Sequence, residues 1–183
     1  RIVPEAEAAL GPVSLLVNSA SSFLVDDLMA LDVPTWNRQF SINLRAPSVL
    51  AGAMANRLPA DRQGAIVNIV DQRVWKLTPQ FFSYTLSKSA LWTATQTMAQ
   101  AFAPRIRVNA IGPGPTLRNE RQGESDFEEQ RKGLLLKSGP MLTEFGATIR
   151  YLWGTPSITG QMIALDGGQH LAWQTPDVTG MRE

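Results

Sequence analysis

Tyr84 and Lys88 stand four residues apart in the stretch Phe82-Ser83-Tyr84-Thr85-Leu86-Ser87-Lys88-Ser89-Ala90-Leu91-Trp92. On a helix that spacing puts both side chains on one face, one turn apart. A cation beside a phenol favours the phenolate and lowers its pKa, which suits proton transfer to or from a hydroxyl near neutral pH. Tyr-x-x-x-Lys by itself also describes a lysine lying along a solvated helix face. Asp71 lies upstream of the pair. Ionised, its carboxylate only accepts hydrogen bonds, and protonated it can donate one. Burial in an apolar cleft favours the protonated form, and a neighbouring ammonium favours the ionised one.

The elements that must position these groups follow from periodicity. After Lys88, the residues Leu91, Thr95, Met98 and Phe102 recur on the face that carries Tyr84, so a long helix is expected. Val13 to Val17, Gly64 to Val70, Ile106 to Ile111 and Met162 to Leu165 are short apolar runs of the kind found in strands buried on both faces. Helical segments separate them, which predicts an α/β fold, a doubly wound parallel sheet of Rossmann type. Ligands of such sheets sit beyond the carboxyl ends of the strands. Asn18, Asp71 and Gly112-Pro113-Gly114 fall at those ends, and this shared geometry predicts one site. A helix is expected from Pro34 to about Leu58, opened by a proline suited to a first turn. Pro47 cannot donate to the carbonyl of Asn43, so the helix should bend there. Leu117 to Gly139 carries a polar run with Arg118, Glu120, Arg121 and Asp126 and reads as a solvated loop. A short helix from Thr143 to Trp153 follows it.

The 183 residues suffice for one domain, and 44% hydrophobic content is ordinary for a globular chain. A net charge of +1 gives no electrostatic reason to expect nucleic acid or a membrane surface as partner. Without cysteine, neither disulfides nor thiolate metal sites can form, in keeping with a cytoplasmic protein. The single histidine, His170, cannot build a metal site or a Ser-His-Asp triad alone, no metal is expected, and His170 reads as a surface or interface residue. Arg1 to Leu10 reads as the back half of an amphipathic helix, stopped by Gly11-Pro12.

Six stretches occur in a telling order: Leu16-Val17-Asn18-Ser19-Ala20-Ser21, Ile42-Asn43-Leu44, Gly64 through Asp71, Tyr84 to Lys88, Arg107 through Thr116, and Ile158-Thr159-Gly160-Gln161 through Asp166-Gly167-Gly168. Together they resemble the short-chain dehydrogenase/reductase family from about Val13 to Leu171. Family members open with a glycine-rich phosphate-cradling turn, which does not occur in this sequence. By that comparison roughly seventy residues, about two βα units, are missing from the front. The expectation is a single domain over 1–183, the C-terminal two-thirds of a dinucleotide-binding reductase, with Val13 to Val17 as an open sheet edge.

The resemblance implies roles. Asp71 occupies the position where the family usually has a serine that bonds the substrate oxygen, and the pteridine reductase branch also has Asp there. That branch is similar again in its run of Asn, Ala, Ser, Ser and Phe, which Ser19-Ala20-Ser21-Ser22-Phe23 matches except at Ser19. By this likeness Phe23 stacks on a flat pterin and Ser21 touches it. Asn43, Asp71, Tyr84 and Lys88 form the catalytic set, Asn43 by holding a water that extends the proton path from Lys88. Asn18 and Ala20 lie along the adenosine side of a dinucleotide, Tyr84 and Lys88 bond its ribose, and Pro113, Gly114 and Thr116 flank the nicotinamide. Trp75 could line the pocket or pack in the core. The implied activity is hydride transfer from NADP(H), with NAD(H) open because the residues that decide lie outside this sequence, to a C=N or C=O carbon of a pterin-like substrate. Reduction of another carbonyl compound and a non-catalytic dinucleotide-binding or scaffold fragment are the competing readings. The two long helices carry apolar and small residues on more than one face, and in the family they pair into dimers and tetramers.

Overall fold

A computed structural model describes residues 1–118 and 122–179. Four strands form one sheet in the order β1-β2-β3-β4: β1 Leu15–Asn18, β2 Gly64–Ile69, β3 Ile106–Pro113 and β4 Met162–Leu165. Every neighbouring pair is parallel, with Leu16 opposite Ile66, Ile66 opposite Val108 and Ile111 opposite Ile163. The central strands are buried almost throughout, as their mostly apolar sequences require, with Asn68 and Asn109 buried among them. β1 is an edge of this sheet, and Leu15 there is 38% exposed.

Helices cover both faces. On one side α3 (Ala46–Arg57) and α4 (Phe82–Phe102) bury Ala51, Met54, Met98 and Ala99 against Ile66, Ile106 and Val108. On the other, α6 (Leu142–Gly154) brings Leu152, Phe145 and Ile149 against Val67 and Ile111. α1 (Ile2–Leu10) ends at Gly11, whose φ of 83° is one that glycine adopts without strain. Buried asparagines stitch the sheet to α4. Asn18 Nδ2 donates to Asn68 Oδ1 at 2.8 Å, and Asn68 Nδ2 donates to Thr95 Oγ1 at 2.9 Å.

The sequence and the structure part company in three places. The single bent helix expected between Pro34 and Leu58 is three pieces: α2 (Val33–Phe40), a π-helical turn over Ser41–Arg45, and α3. Pro47 has no N–H for the helical ladder, and the ladder slips by one residue just before it, Ala46 N donating to Ser41 O. The expected solvated loop holds a helix, α5 (Glu124–Lys132). Its acidic first turn and basic last turn complement the helix dipole, while Phe127 is its only large apolar residue, too little to register as periodicity. Glu120 and Arg121 of that polar run lie outside the described residues. Finally, His170, expected at the surface or an interface, is half-buried and held by neighbours. Its Nδ1 lies 2.7 Å from the buried Asp166 carboxylate, and its ring packs 5.1 Å from Trp75. Trp75 in turn packs edge-on to Trp92 at 6.4 Å, which makes its role packing.

Candidate functional site

At the carboxyl ends of the strands lies a cavity of about 300 Å³ lined by Ser21, Phe23, Asp71, Tyr84, Pro113, Gly114 and Thr116, among others. Each comes from a different structural cause. Asp71 stands two residues past β2 and caps a 3₁₀ turn, Gln72–Val74, by accepting from Arg73 N at 2.8 Å. Tyr84 is in the first turn of α4, anchored there because Ser83 N donates to Asp26 Oδ2 at 2.9 Å. Pro113 ends β3, and Gly114 must be glycine: a Cβ there would sit 2.7 Å from Asp166 Cα. The close approach lets β4 pin the Pro113–Thr116 wall from behind, through Gly114 N donating to Leu165 O at 2.9 Å.

The polar centre is a hydrogen bond of 2.7 Å from Tyr84 Oη to Asp71 Oδ2. The same oxygen receives Arg73 Nη1 at 3.4 Å. Lys88 lies behind the phenol, its Nζ 5.8 Å from the ring centre and donating to Ile69 O at 2.8 Å. Burial lowers the Lys88 ammonium to about 8, with Asp71 opposing the fall. The expected depression of the Tyr84 phenol is reversed. Burial first, then the Asp71 carboxylate, push it well above its usual value, and Arg73 and Ser21 only partly oppose them. Tyr84 is therefore held protonated, as an acid with its hydrogen committed to Asp71.

Phe23 walls the cavity. Its ring meets Tyr84 edge-on at 4.6 Å and stacks on Phe81 at 4.5 Å. Asn43, fully buried by the π-turn, is occupied by the chain itself. Its Oδ1 accepts from Ser22 N at 2.8 Å and Ser21 Oγ at 3.2 Å, and its Nδ2 donates to Ser22 O at 2.9 Å and Ser87 Oγ at 3.0 Å. All four of its side-chain bonds are thus made within the protein. It ties the loop that carries Ser21 and Phe23 to the helix that carries Tyr84.

Of the expected residues, Ser21, Phe23, Asp71, Tyr84, Pro113, Gly114 and Thr116 converge on the cavity, with Lys88 directly beneath Tyr84. Asn18 does not line it and donates from Nδ2 to Asn68, and Ala20 lies exposed beyond the end of β1. Sequence reasoning missed Arg73, Gln72, Gln122, Phe127, Gln130 and Gln169, which complete the lining together with Pro115 and Leu117. Arg73 carried a signal, a cation two residues after the key carboxylate. The glutamines carried none.

Residues 1–170 match the family model described as Enoyl-(Acyl carrier protein) reductase. The chain is 32% identical over 137 residues to the dihydromonapterin reductase of Klebsiella pneumoniae, a match covering 74% of this chain and 57% of that protein. It is 39% identical over 110 residues to the L-xylo-3-hexulose reductase of Hypocrea jecorina, covering 56% of this chain and 36% of that one. Among solved structures, FolM alternative dihydrofolate reductase 1 from Brucella suis, in complex with NADP, superposes with a TM-score of 0.96 at 61% identity. That superposition covers 97% of this chain and 72% of the other.

Proposed function

The chain belongs to the short-chain dehydrogenase/reductase family, and from that premise we propose that it forms the reactive part of an NADPH-dependent reductase of pterin-like rings. The observation that carries the reading is the Tyr84–Asp71 hydrogen bond, set in a cavity walled by Phe23. A pterin offers a plane to stack on that ring. Its amino-pyrimidine edge offers N–H donors, for which an ionised Asp71 is an acceptor. The names of the Klebsiella and Brucella relatives, a dihydromonapterin and a dihydrofolate reductase, support the same substrate class.

NADP(H) is the cofactor in this reading, as in the Brucella complex. The residues suited to it are Tyr84 and the wall of Pro113, Gly114 and Thr116, whose backbone Asp166 and Leu165 hold from behind. Lys88 supports the ribose-binding face from beneath, with Asn18 and Ala20 toward the adenosine. When bound there, NADP(H) would supply the hydride for the ring carbon of a C=N bond. Tyr84 Oη gives its proton to the ring nitrogen once the substrate replaces Asp71 as its acceptor, and the Lys88 ammonium stabilises the phenolate left behind. With its pKa near 8, Lys88 can return that proton at neutral pH. Asn43 aligns the Ser21–Phe23 loop with Tyr84, and holding a water on the Lys88 side falls to its backbone carbonyl.

The proposal includes a cytoplasmic homo-oligomer, dimer or tetramer, supported by Val49 on α3 and Leu86 on α4, which stay 63% and 37% exposed. A sedimentation run showing only monomer would count against it. The activity test is the full-length protein with NADPH and either dihydrobiopterin or dihydrofolate, beside a panel of simple ketones and ketoses. Turnover of either pterin supports the reading. Brisk ketone or ketose reduction with neither pterin consumed supports the carbonyl reductase that the Hypocrea relative suggests.

A further inference from the structure

Arg73 is placed to govern two parts of the site at once. Its backbone N–H and its guanidinium both donate to Asp71, to Oδ1 at 2.8 Å and Oδ2 at 3.4 Å. The same guanidinium carbon lies 5.4 Å from the centre of the Phe23 ring and 5.4 Å from that of Phe81. Those two rings stack 4.5 Å apart at 28°. One flat cation therefore spans an aromatic pair and pairs with the carboxylate that receives the Tyr84 hydrogen bond. The side chain is only 22% exposed, so these contacts are poorly screened by solvent.

The backbone beside it adds an independent sign. Phe81 adopts φ 57° and ψ 54°, the left-handed region that a non-glycine, aromatic residue rarely occupies. Such a conformation persists where surrounding contacts hold it, and it clusters at functional sites. Here it is the residue immediately before α4 that turns the Phe81 ring onto Phe23, three residues ahead of Tyr84.

We propose that Arg73 is a positioning residue that couples the acid side of the site to its aromatic wall, holding Asp71 as the acceptor for Tyr84 while fixing Phe23 in the plane that a flat substrate stacks on. The inference rests on the pterin-reductase reading above. Two requirements separate within one side chain. Pairing with Asp71 needs a positive charge, whereas spanning Phe23 and Phe81 needs a planar group of the right length. A lysine keeps the first and loses the second, and a methionine keeps only the stem and loses both.

The test is steady-state kinetics of the full-length protein with NADPH and dihydrobiopterin, comparing Arg73→Lys and Arg73→Met. Arg73→Lys is expected to raise KM for the pterin about fivefold with kcat within about threefold of the parent. Arg73→Met is expected to raise KM about as much as Arg73→Lys does and, in addition, to lower kcat about tenfold or more. Two variants with the same kcat, or with KM unchanged in both, would overturn the proposal. A parent that reduces no pterin at all refutes the function reading instead. The coupling is then read without turnover, from a crystal structure of Arg73→Met. Separation of the Phe23 and Phe81 rings together with loss of the Tyr84–Asp71 hydrogen bond supports it, and retention of both overturns it.

Discussion

Replacing Lys88 with methionine tests the energetics of the site independently of its chemistry. Lys88 is 2% exposed and its ammonium titrates near 8, well below the 10.5 of a solvated lysine. The sign of the effect is fixed by which state binds the proton. Below pH 8 the ammonium is charged in the folded and the unfolded chain alike, and the full cost of burying it, about 3 kcal/mol, weighs against folding. From pH 8 to 10.5 the unfolded chain still holds a proton that the folded chain has released, so this group makes stability rise with pH. Lys88→Met removes that dependence, at the expense of leaving Ile69 O without its donor, about 1–3 kcal/mol. The two effects nearly offset at neutral pH, so one measurement there says little. Urea unfolding at about pH 7 and pH 9.5 separates them: the parent should gain about 2 kcal/mol relative to Lys88→Met across that interval. Tyr84 titrates in both proteins and largely cancels in the comparison. Parallel changes in the two proteins, within about 0.5 kcal/mol, would refute the account of Lys88 as an ammonium buried against its own solvation.

The other expectations concern the cavity wall and the acid. Phe23→Ala should raise KM for a pterin about threefold to tenfold before it affects kcat, because stacking contributes about 0.5–1.5 kcal/mol beyond area. Tyr84→Phe should do the reverse, lowering kcat about a hundredfold with little change in KM, as the loss of a general acid does. Gly114→Ala should destabilise the protein by about 1–3 kcal/mol, seen as a lower Tm, because its methyl group would meet the Asp166 backbone 2.7 Å away.

How far the sequence could be read depended on whether a feature was local. The four strands were legible because each is an apolar run bounded by turn residues, and β4 was placed to the residue at Met162–Leu165. Tyr84 and Lys88 were legible because helical spacing alone sets them one turn apart. Their energetics were not, because the direction of the Tyr84 shift depends on burial and on Asp71, groups that only folding brings together. The π-turn at Ser41–Arg45 was half legible. Pro47 announces a break in the ladder, but where the register slips is decided by what Asn43 can bond, which is Ser21, Ser22 and Ser87. α5 was hidden because a helix with one large apolar residue looks like a loop. Arg73 was overlooked because its partners Phe23 and Phe81 lie fifty and eight residues away in sequence and meet it only in the folded chain.

The central claim is that Asp71, with Tyr84 bonded to it, fits this cavity for a flat nitrogenous ring rather than for a plain ketone. Asp71→Ser tests it most directly, since a serine hydroxyl can serve a ketone oxygen but cannot accept from a pterin edge as a carboxylate does. With NADPH and the full-length protein, kcat/KM for dihydrobiopterin should fall about a hundredfold while any ketone activity is held or gained. Equal loss on both substrates, or pterin reduction undiminished in Asp71→Ser, would contradict it.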